Sequence, residues 1–577
     1  MTHTTRTLFG LLTDAVRADP ERRTLIEPVE AGTARHHVEH TRLDLLATAV
    51  DLADLLRSHG IGDGDGIAVW LPSWAEVYAW QFAASAVGAH IIGVNTRYNV
   101  AVVGNVLTKA RPAALVMAHG FRGIDFLPTA REAVAEAREA LEDREALSSD
   151  PEYRAPVVVV SAGPGVDLVP PEVVDRYGLG AGAVRSPVPG TTGHTAAEVL
   201  ARADAYRTEG SPSTLSVGFT TSGSTGLPKV AAHCEHAVLH HMSAVAERLG
   251  FGSGDVMVEP LPYSGVFGYM AGMAALAGGA SVLLHPVFDP EALLDDWERF
   301  GGTHYVGGDD MIARVRAAWE GRRRDLSMWR WWGVADFQGM SAELAAWSAG
   351  EFGTVTSGVY GSSEVFSLLT FWEDSVPPAQ RIRGGGRLSA PDYAYRIVDP
   401  HTGTEVPEGH RGEIQLRGPN VVDEYLGDRR TPDGTPASGS AMDTNTTEDG
   451  WFLTGDLGEA VDDRSFVYVC RMGDVIRLKG FLVDPAEIEV HLAEHPAAEI
   501  VKVVSRTDGA GEPEVVAFVQ PAPGSAPDGD ELRDFCARRL ARYKVPAEVR
   551  VIERMPTRAG TNGSKIKAAV LRDWARS

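Results

Sequence analysis

Cysteine is almost absent from this chain. Cys234, Cys470 and Cys536 are odd in number and share neither a disulfide nor a metal-ligand spacing, which excludes a disulfide-stapled scaffold and predicts reduced thiols in a cytosol. Positive charge is also short. A formal net charge of −24 repels phosphate-rich polymers and anionic bilayers at long range, so neither nucleic acid nor a membrane surface is expected as a partner. Long apolar runs are missing: the longest, residues 271–284, is broken by glycines and falls short of the ~20 residues a membrane helix needs. The opening residues lack a basic segment followed by an apolar stretch, so a cytoplasmic location is expected. Lysine is scarce and uneven. Lys109 and Lys229 stand alone, while Lys479, Lys502, Lys544, Lys565 and Lys567 fall in the last hundred residues. An anionic ligand must therefore be held by a few local groups.

At 577 residues the chain is too long for one compact core. Its 44% hydrophobic and 23% charged content is that of a globular protein. A helix from Leu8 and a second through Leu45, Ala49, Leu52 and Leu56 open it. GIAVWLP (66–72) then reads as a strand, residues 74–89 as a helix and HIIGVN (90–95) as a strand, the βαβ rhythm of a doubly wound α/β domain. The Glu/Arg/Ala run over 130–147 reads as a solvated helix. Proline- and glycine-rich stretches within 148–214 read as surface excursions. After the polar stretch 427–450 a compact α+β pattern resumes, with strands over 514–521 and 549–553 around a helix over 531–543. The expected organisation is a large α/β domain over 1–470 and a small α+β domain over 474–577.

The chemistry concentrates in a few segments. TTSGSTGLPK (220–229) cannot pack in a core. Its glycines let successive N–H groups point into one concavity, its hydroxyls add donors, and Lys229 adds charge, which makes a polyphosphate cradle. It is not the Walker pattern, because the lysine follows the last glycine by three residues and no Ser or Thr follows it. A loop of this composition alone is more often a linker, so it needs companions. YGSSE (360–364) offers a ring, hydroxyls and a carboxylate for magnesium. GEIQLRGPNVVDEYL (412–426) reads as a strand and turn. DGWFLTGDLG (449–458) places Asp456 in a tight turn where it could accept ribose hydroxyls, residues 471–489 supply Arg471 and a glycine hinge, and TNGSKIK (561–567) presents Lys565 beyond a glycine turn.

Together, in this order, these segments resemble the adenylate-forming superfamily of acyl- and aryl-CoA ligases, luciferases and nonribosomal adenylation domains. The resemblance runs from the helix at Leu8 to NGSKI and is weakest over 122–214. It implies ATP, Mg2+ and coenzyme A as ligands, with an acid as substrate. Thr221, Ser222, Gly223, Ser224, Thr225, Gly226 and Lys229 would bind the β- and γ-phosphates. Tyr360, with Gly361 beside it, would stack on adenine. Ser363 and Glu364 would serve the α-phosphate and the metal, and Asp456 and Arg471 the ribose. Lys565 would be the mobile lysine of adenylation, Lys479 and Gly480 the face that replaces it for thioester formation, and Gly473 the hinge between the two states.

Departures from the family pattern fall on the acid pocket, expected around Tyr263, Ser264, Gly265, Phe267, Asp336 and Phe337. LPYSGVFG (261–268) carries Gly265 where an aromatic or histidine gate usually sits. GGDD (307–310) replaces a proline-containing turn, Asp336 and Phe337 fall in a stretch that is often Gly-Gly-Ala, and NGSKI replaces TGKI, so choosing Lys565 over Lys567 rests on aligning the lysine-isoleucine pair. The acceptor stays open between coenzyme A, a carrier-protein thiol in trans and an amine, and the acid between aliphatic, aromatic and inorganic, including nitrite for diazotisation of an aromatic amine. A non-catalytic nucleotide-binding regulator is disfavoured because Lys229, Glu364, Asp456, Arg471 and Lys565 are all present. An α-amino acid is disfavoured because 261–268 lacks an aspartate for its ammonium. His233, Cys234, His236, His240 and His241 look like a metal cluster, but no third carboxylate or cysteine arrives at a matching spacing. No GxSxG serine elbow supports a hydrolase.

Overall fold

The computed structural model describes the chain outside residues 1–4, 32–33, 146–153, 165–168, 177–182, 186–194, 212, 222–227, 401, 429–436, 473–475, 479–480, 484, 508–512, 539, 541–543, 561–562 and 577. Two large sheets build the first domain. One has eight strands in the spatial order Glu424–Tyr425, Val230–Cys234, Leu215–Thr220, His90–Gly93, Gly66–Trp70, Ala114–His119, Val157–Ala162 and Ala183–Arg185. Its strands from Leu215–Thr220 onward are parallel, and the first two are antiparallel additions. The weakly matching 122–214 region thus supplies the last two strands of this sheet.

The other sheet has thirteen strands and changes character in its middle. Arg23–Ala31, Ser281–Leu284, Val256–Glu259, His304–Gly308, Trp331–Ala335 and Val355–Ser362 run parallel. From Phe366–Phe371 onward, through Gly385–Leu388, Ser465–Arg471, Phe452–Ala460, Arg411–Arg417 and Ala394–Val398, every pairing is antiparallel. Val355–Ser362 is therefore both the last parallel strand and the first antiparallel partner. Ligands in α/β folds gather outside the carboxyl ends of parallel strands, and the turn after Ser362 lies at such an end.

Two helices occupy the space between the sheets. Every residue of Ala75–Val87 is buried, as are Val266 to Ala275 of Val266–Ala277. AEVYAWQFAASAV has no polar face because the helix touches strands of both sheets. Its Glu76 is satisfied inside by Trp80 Nε1 at 2.9 Å and by the Ser161 hydroxyl. Gly88 ends the helix at φ 82°, a conformation open to glycine without strain.

The hairpin formed by Arg23–Ala31 and Ala34–Thr41 had no counterpart in the sequence reading. Its alternation is broken by Pro28 and a run of histidines, and burial comes only from its place on the sheet edge. The helix Leu127–Glu145 also does more than face solvent: Ala130, Ala133, Val134, Ala137 and Leu141 are buried, and it packs on Val100–Ala110.

The second domain is a three-stranded sheet, Ala498–Thr507, Pro513–Pro521 and Glu548–Val551. Period-2 alternation sorts its core: Val515, Ala517 and Val519 join Ile488, Leu492 and Leu532 in one cluster, while Val516 and Phe518 join Leu571 and Ala575 in another. The helix expected over 531–543 spans Gly529–Ala537, with residues 541–543 outside the described part. Among the described residues no helix is long and apolar enough to cross a membrane.

Candidate active site

The segment 220–229 joins two antiparallel strands, Leu215–Thr220 and Val230–Cys234. Its base is closed by the Thr221 amide donating to the Lys229 carbonyl at 2.9 Å. Ser222, Gly223, Ser224, Thr225 and Gly226 lie outside the described residues. Two neighbours pin the base: the Tyr98 hydroxyl lies 2.6 Å from Thr220 Oγ1, and Asn105 donates to the Pro228 carbonyl at 2.8 Å.

Ser363 and Glu364 form the turn after Val355–Ser362. Ser363 Oγ donates to the Thr220 carbonyl at 3.3 Å, so this turn is tied to the strand that enters the loop. The Val422 amide donates to the Glu364 carbonyl at 2.7 Å. Beside Lys229 and this turn stands Tyr425, a residue of GEIQLRGPNVVDEYL to which no role was assigned from the sequence. Lys229 Nζ lies 4.9 Å from its ring centroid, and the Glu364 carboxylate is close enough to act on its phenol. Burial and then the Glu364 charge push its phenol pKa up. A tyrosine following Asp423 and Glu424 carries no sequence mark of such a place, because the placement comes from strand pairing with Ala231.

Asp456 sits on the strand Phe452–Ala460, directly opposite Arg471, and not in the tight turn the sequence implied. The local glycine signal is real but small in effect: Gly455 takes φ 68° and kinks the strand without ending it. Tyr360 donates to Asp456 Oδ2 at 2.7 Å, and Arg471 Nε lies 3.1 Å from Oδ1. Arg471 also donates to the Thr454 carbonyl at 2.8 Å. Only 4% of Asp456 is exposed, and burial pushes its carboxyl up to about 6 against the pull of Arg471 and Tyr360. The Tyr360 ring is itself buried, edge-on to Phe466 and tilted against Tyr468.

The residues expected around the acid are less uniform. Gly265 caps Val266–Ala277 at φ −106°, ψ 145°, extended backbone that any residue adopts. Ser264 accepts from Asn95 at 3.3 Å, and a Cβ at Gly93 would come within 2.7 Å of its carbonyl oxygen. Phe267 is buried, and Tyr263 turns into the core against Tyr78 and Tyr269, with its hydroxyl on Met273 Sδ. Below it the Tyr78 hydroxyl donates to Glu259 at 2.6 Å, and burial pushes the Glu259 carboxyl up to about 8. Asp336 accepts from the Gly339 amide at 3.1 Å and Ser341 Oγ at 2.8 Å, so its bonds go to its own loop. Asp309, in the GGDD stretch that replaces a proline-containing turn, organises that loop: fully buried, it accepts from the amides of Phe337, Gln338 and Met340 at 2.9–3.0 Å.

Lys565 lies on the strand Gly563–Ile566, opposite Arg558, and this strand approaches the helix Asp309–Gly321. Gly473, Lys479 and Gly480 lie outside the described residues. The histidines do not gather as ligands: among the described residues no group of three or more His, Cys, Asp or Glu could hold a metal ion.

The family model for AMP-binding enzymes matches residues 12–426, and that for the AMP-binding enzyme C-terminal domain matches 487–561. This chain belongs to the AMP-binding enzyme family. It is an enzyme of the AMP-forming acid–thiol ligase type, as the sequence resemblance implied. The YngI protein of Bacillus subtilis (strain 168), named as an acyl-CoA synthetase, is 26% identical over 97% of this chain and 96% of its own. An indoleacetate–CoA ligase of Aromatoleum aromaticum is 33% identical over 59% of this chain and 64% of its own. The fold matches that of ATP-bound MatB from Rhodopseudomonas palustris with a TM-score of 0.76, at 21% identity and 99% coverage of both chains.

Proposed function

We propose that this AMP-binding enzyme activates a carboxylic acid with ATP, releases pyrophosphate, and passes the acyl group from the adenylate to coenzyme A. The observation that carries this is the convergence of Ser363, Glu364, Tyr360, Asp456 and Arg471 beside the closed base of the 221–229 hairpin. A carboxylate resists nucleophiles because its leaving group would be oxide. Its attack on the α-phosphorus of ATP gives an acyl-adenylate and pyrophosphate, and AMP is then a far better leaving group. Bringing two anions together requires fixed positive charge and donors at the site of attack. Lys229 and the loop amides hold the outer phosphates, Ser363 the α-phosphate, and Lys565 lies between the carboxylate and the α-phosphate. Asp456 accepts from the ribose hydroxyls with Arg471 orienting it, and Tyr360 stacks on the base.

Glu364 offers hard carboxylate oxygen beside the Tyr425 hydroxyl. That suits Mg2+, which takes one or two carboxylates with phosphate oxygens and waters instead of an all-protein cage. The ion would neutralise charge on the phosphates. The coenzyme A ligase names of relatives support that acceptor, and after pyrophosphate leaves, rotation at Gly473 would exchange Lys565 for the Lys479–Gly480 face. The deciding experiment is a pyrophosphate-release screen over aliphatic, aromatic and inorganic acids, with and without coenzyme A. Acid-dependent release followed by thioester supports the reading. Release with an amine or carrier-protein product instead changes the acceptor, and no release with any acid ends it.

A further inference from the structure

The turn that presents Ser363 and Glu364 is followed by two bulky residues in the left-handed region. Phe366 has φ 64° and Leu368 has φ 57°, and neither is exposed. Such backbone persists only where its surroundings over-determine it. The surroundings here are two histidines from the segment just past the loop. His233, on Val230–Cys234, places Nε2 2.8 Å from the Ser363 carbonyl. His241, on the helix Glu235–Leu249, places Nε2 2.8 Å from the Ser367 carbonyl. The Phe366 ring stacks against both imidazoles, at 4.1 Å and 29° to His233 and 4.9 Å and 21° to His241. Tyr393 stacks against His241 as well, with its hydroxyl 3.0 Å from Nδ1.

A carbonyl only accepts, so each Nε2 carries the proton and donates it. His241 Nδ1 is then free to accept from Tyr393. Both side chains are fully buried, and burial pushes their pKa values down, to about 4 for His233 and about 3 for His241. Leucine would fill similar space but carries no N–H to satisfy the carbonyl on each side of Glu364. His233 also follows Lys229 by four residues, on the strand that begins at Val230. The strand that leaves the phosphate loop thus holds the neighbouring turn in register with it.

We propose that His233 and His241 are positioning residues, a pair of imidazole clamps that fix the 363–368 turn so that Ser363 and Glu364 face the nucleotide. Their weight in catalysis rests on the adenylation reading above. The test compares His233→Leu and His241→Leu, which remove the donor, with His233→Gln and His241→Gln, which restore an N–H at similar reach. Each is measured for Tm, for MgATP binding without acid, and for acid-dependent ATP–pyrophosphate exchange. The leucine variants are expected to lose about 10–100-fold in kcat, the usual range for residues supporting ligating groups, with KM for the acid unchanged. The glutamine variants should recover most of that loss. Folded leucine variants with wild-type kcat, or glutamine variants no better than leucine, overturn the proposal. Where a leucine variant does not fold, Tyr393→Phe decides, since it deletes only the hydroxyl that donates to His241 Nδ1: lower kcat at unchanged Tm supports the clamp, and unchanged kcat overturns it. If the wild type binds MgATP but exchanges pyrophosphate with no acid, the adenylation reading falls by itself. The clamp is then judged on MgATP affinity, weakened by leucine and kept by glutamine if it holds, and overturned if leucine leaves affinity unchanged.

Discussion

Asp456 is held ionised only against its surroundings. Its folded-state carboxyl is raised to about 6 by burial, so the folded chain binds that proton more tightly than the unfolded chain. The stability linked to this group is fully present below the ordinary carboxylate range and is lost as pH rises through about 6. Asp456→Asn cannot ionise and escapes that loss. It is expected to raise Tm by about 2–4 °C at pH 7.5, with the gain shrinking towards pH 4, while weakening AMP binding in calorimetry. A lower Tm at pH 7.5 would show that the Arg471 pairing outweighs burial. Lys565 is tested by its half-reaction. Lys565→Ala should slow adenylate formation by about 10²-fold, the scale of one preorganised charge at a transition state, and spare thioester formation from supplied acyl-adenylate. A larger effect from Lys567→Ala would move the role by two residues.

At the scale of the element, the helix Val266–Ala277 brings residues proposed to face the acid to the centre of the domain. Gly265 caps it in extended backbone, so glycine is not needed there for conformation. Gly265→Ala should therefore leave Tm unchanged, whereas Gly265→Phe should raise KM for the best acid without altering ATP binding. A melting loss with alanine and unchanged acid kinetics with phenylalanine would remove Gly265 from the pocket. The same scale shows what the sequence can carry. Helices such as Ala75–Val87 and the strands around them were legible because their apolar runs end at glycines such as Gly88. Tyr360, Asp456, Arg471 and Glu364 were legible as types in an order. Tyr425, Asp309, His233 and His241 were not, because their roles depend on which strand lies beside which: Tyr425 reaches Glu364 through pairing with Ala231, and the histidines meet carbonyls more than a hundred residues away. The hairpin Arg23–Thr41 was hidden for a related reason, since the sheet edge and not local alternation decides its burial.

For the whole molecule, the proposed two-step reaction implies that the small domain takes two positions. The large domain's last paired strand ends at Arg471, and the next strand begins at Ile476. Gly473→Pro would fix φ near −65° between them. Expected is pyrophosphate release close to wild type with thioester formation abolished, read from the two half-reactions separately. Intact thioester turnover would remove the domain-alternation claim. The helix Ala75–Val87 has a different consequence at this scale. With no face left to water and strands of both sheets against it, it leaves neither sheet a finished surface of its own. The two sheets are bound into one cooperative unit, and each draws strands from both sides of Gly250, so a chain cut there should yield halves that aggregate separately and regain order only when mixed.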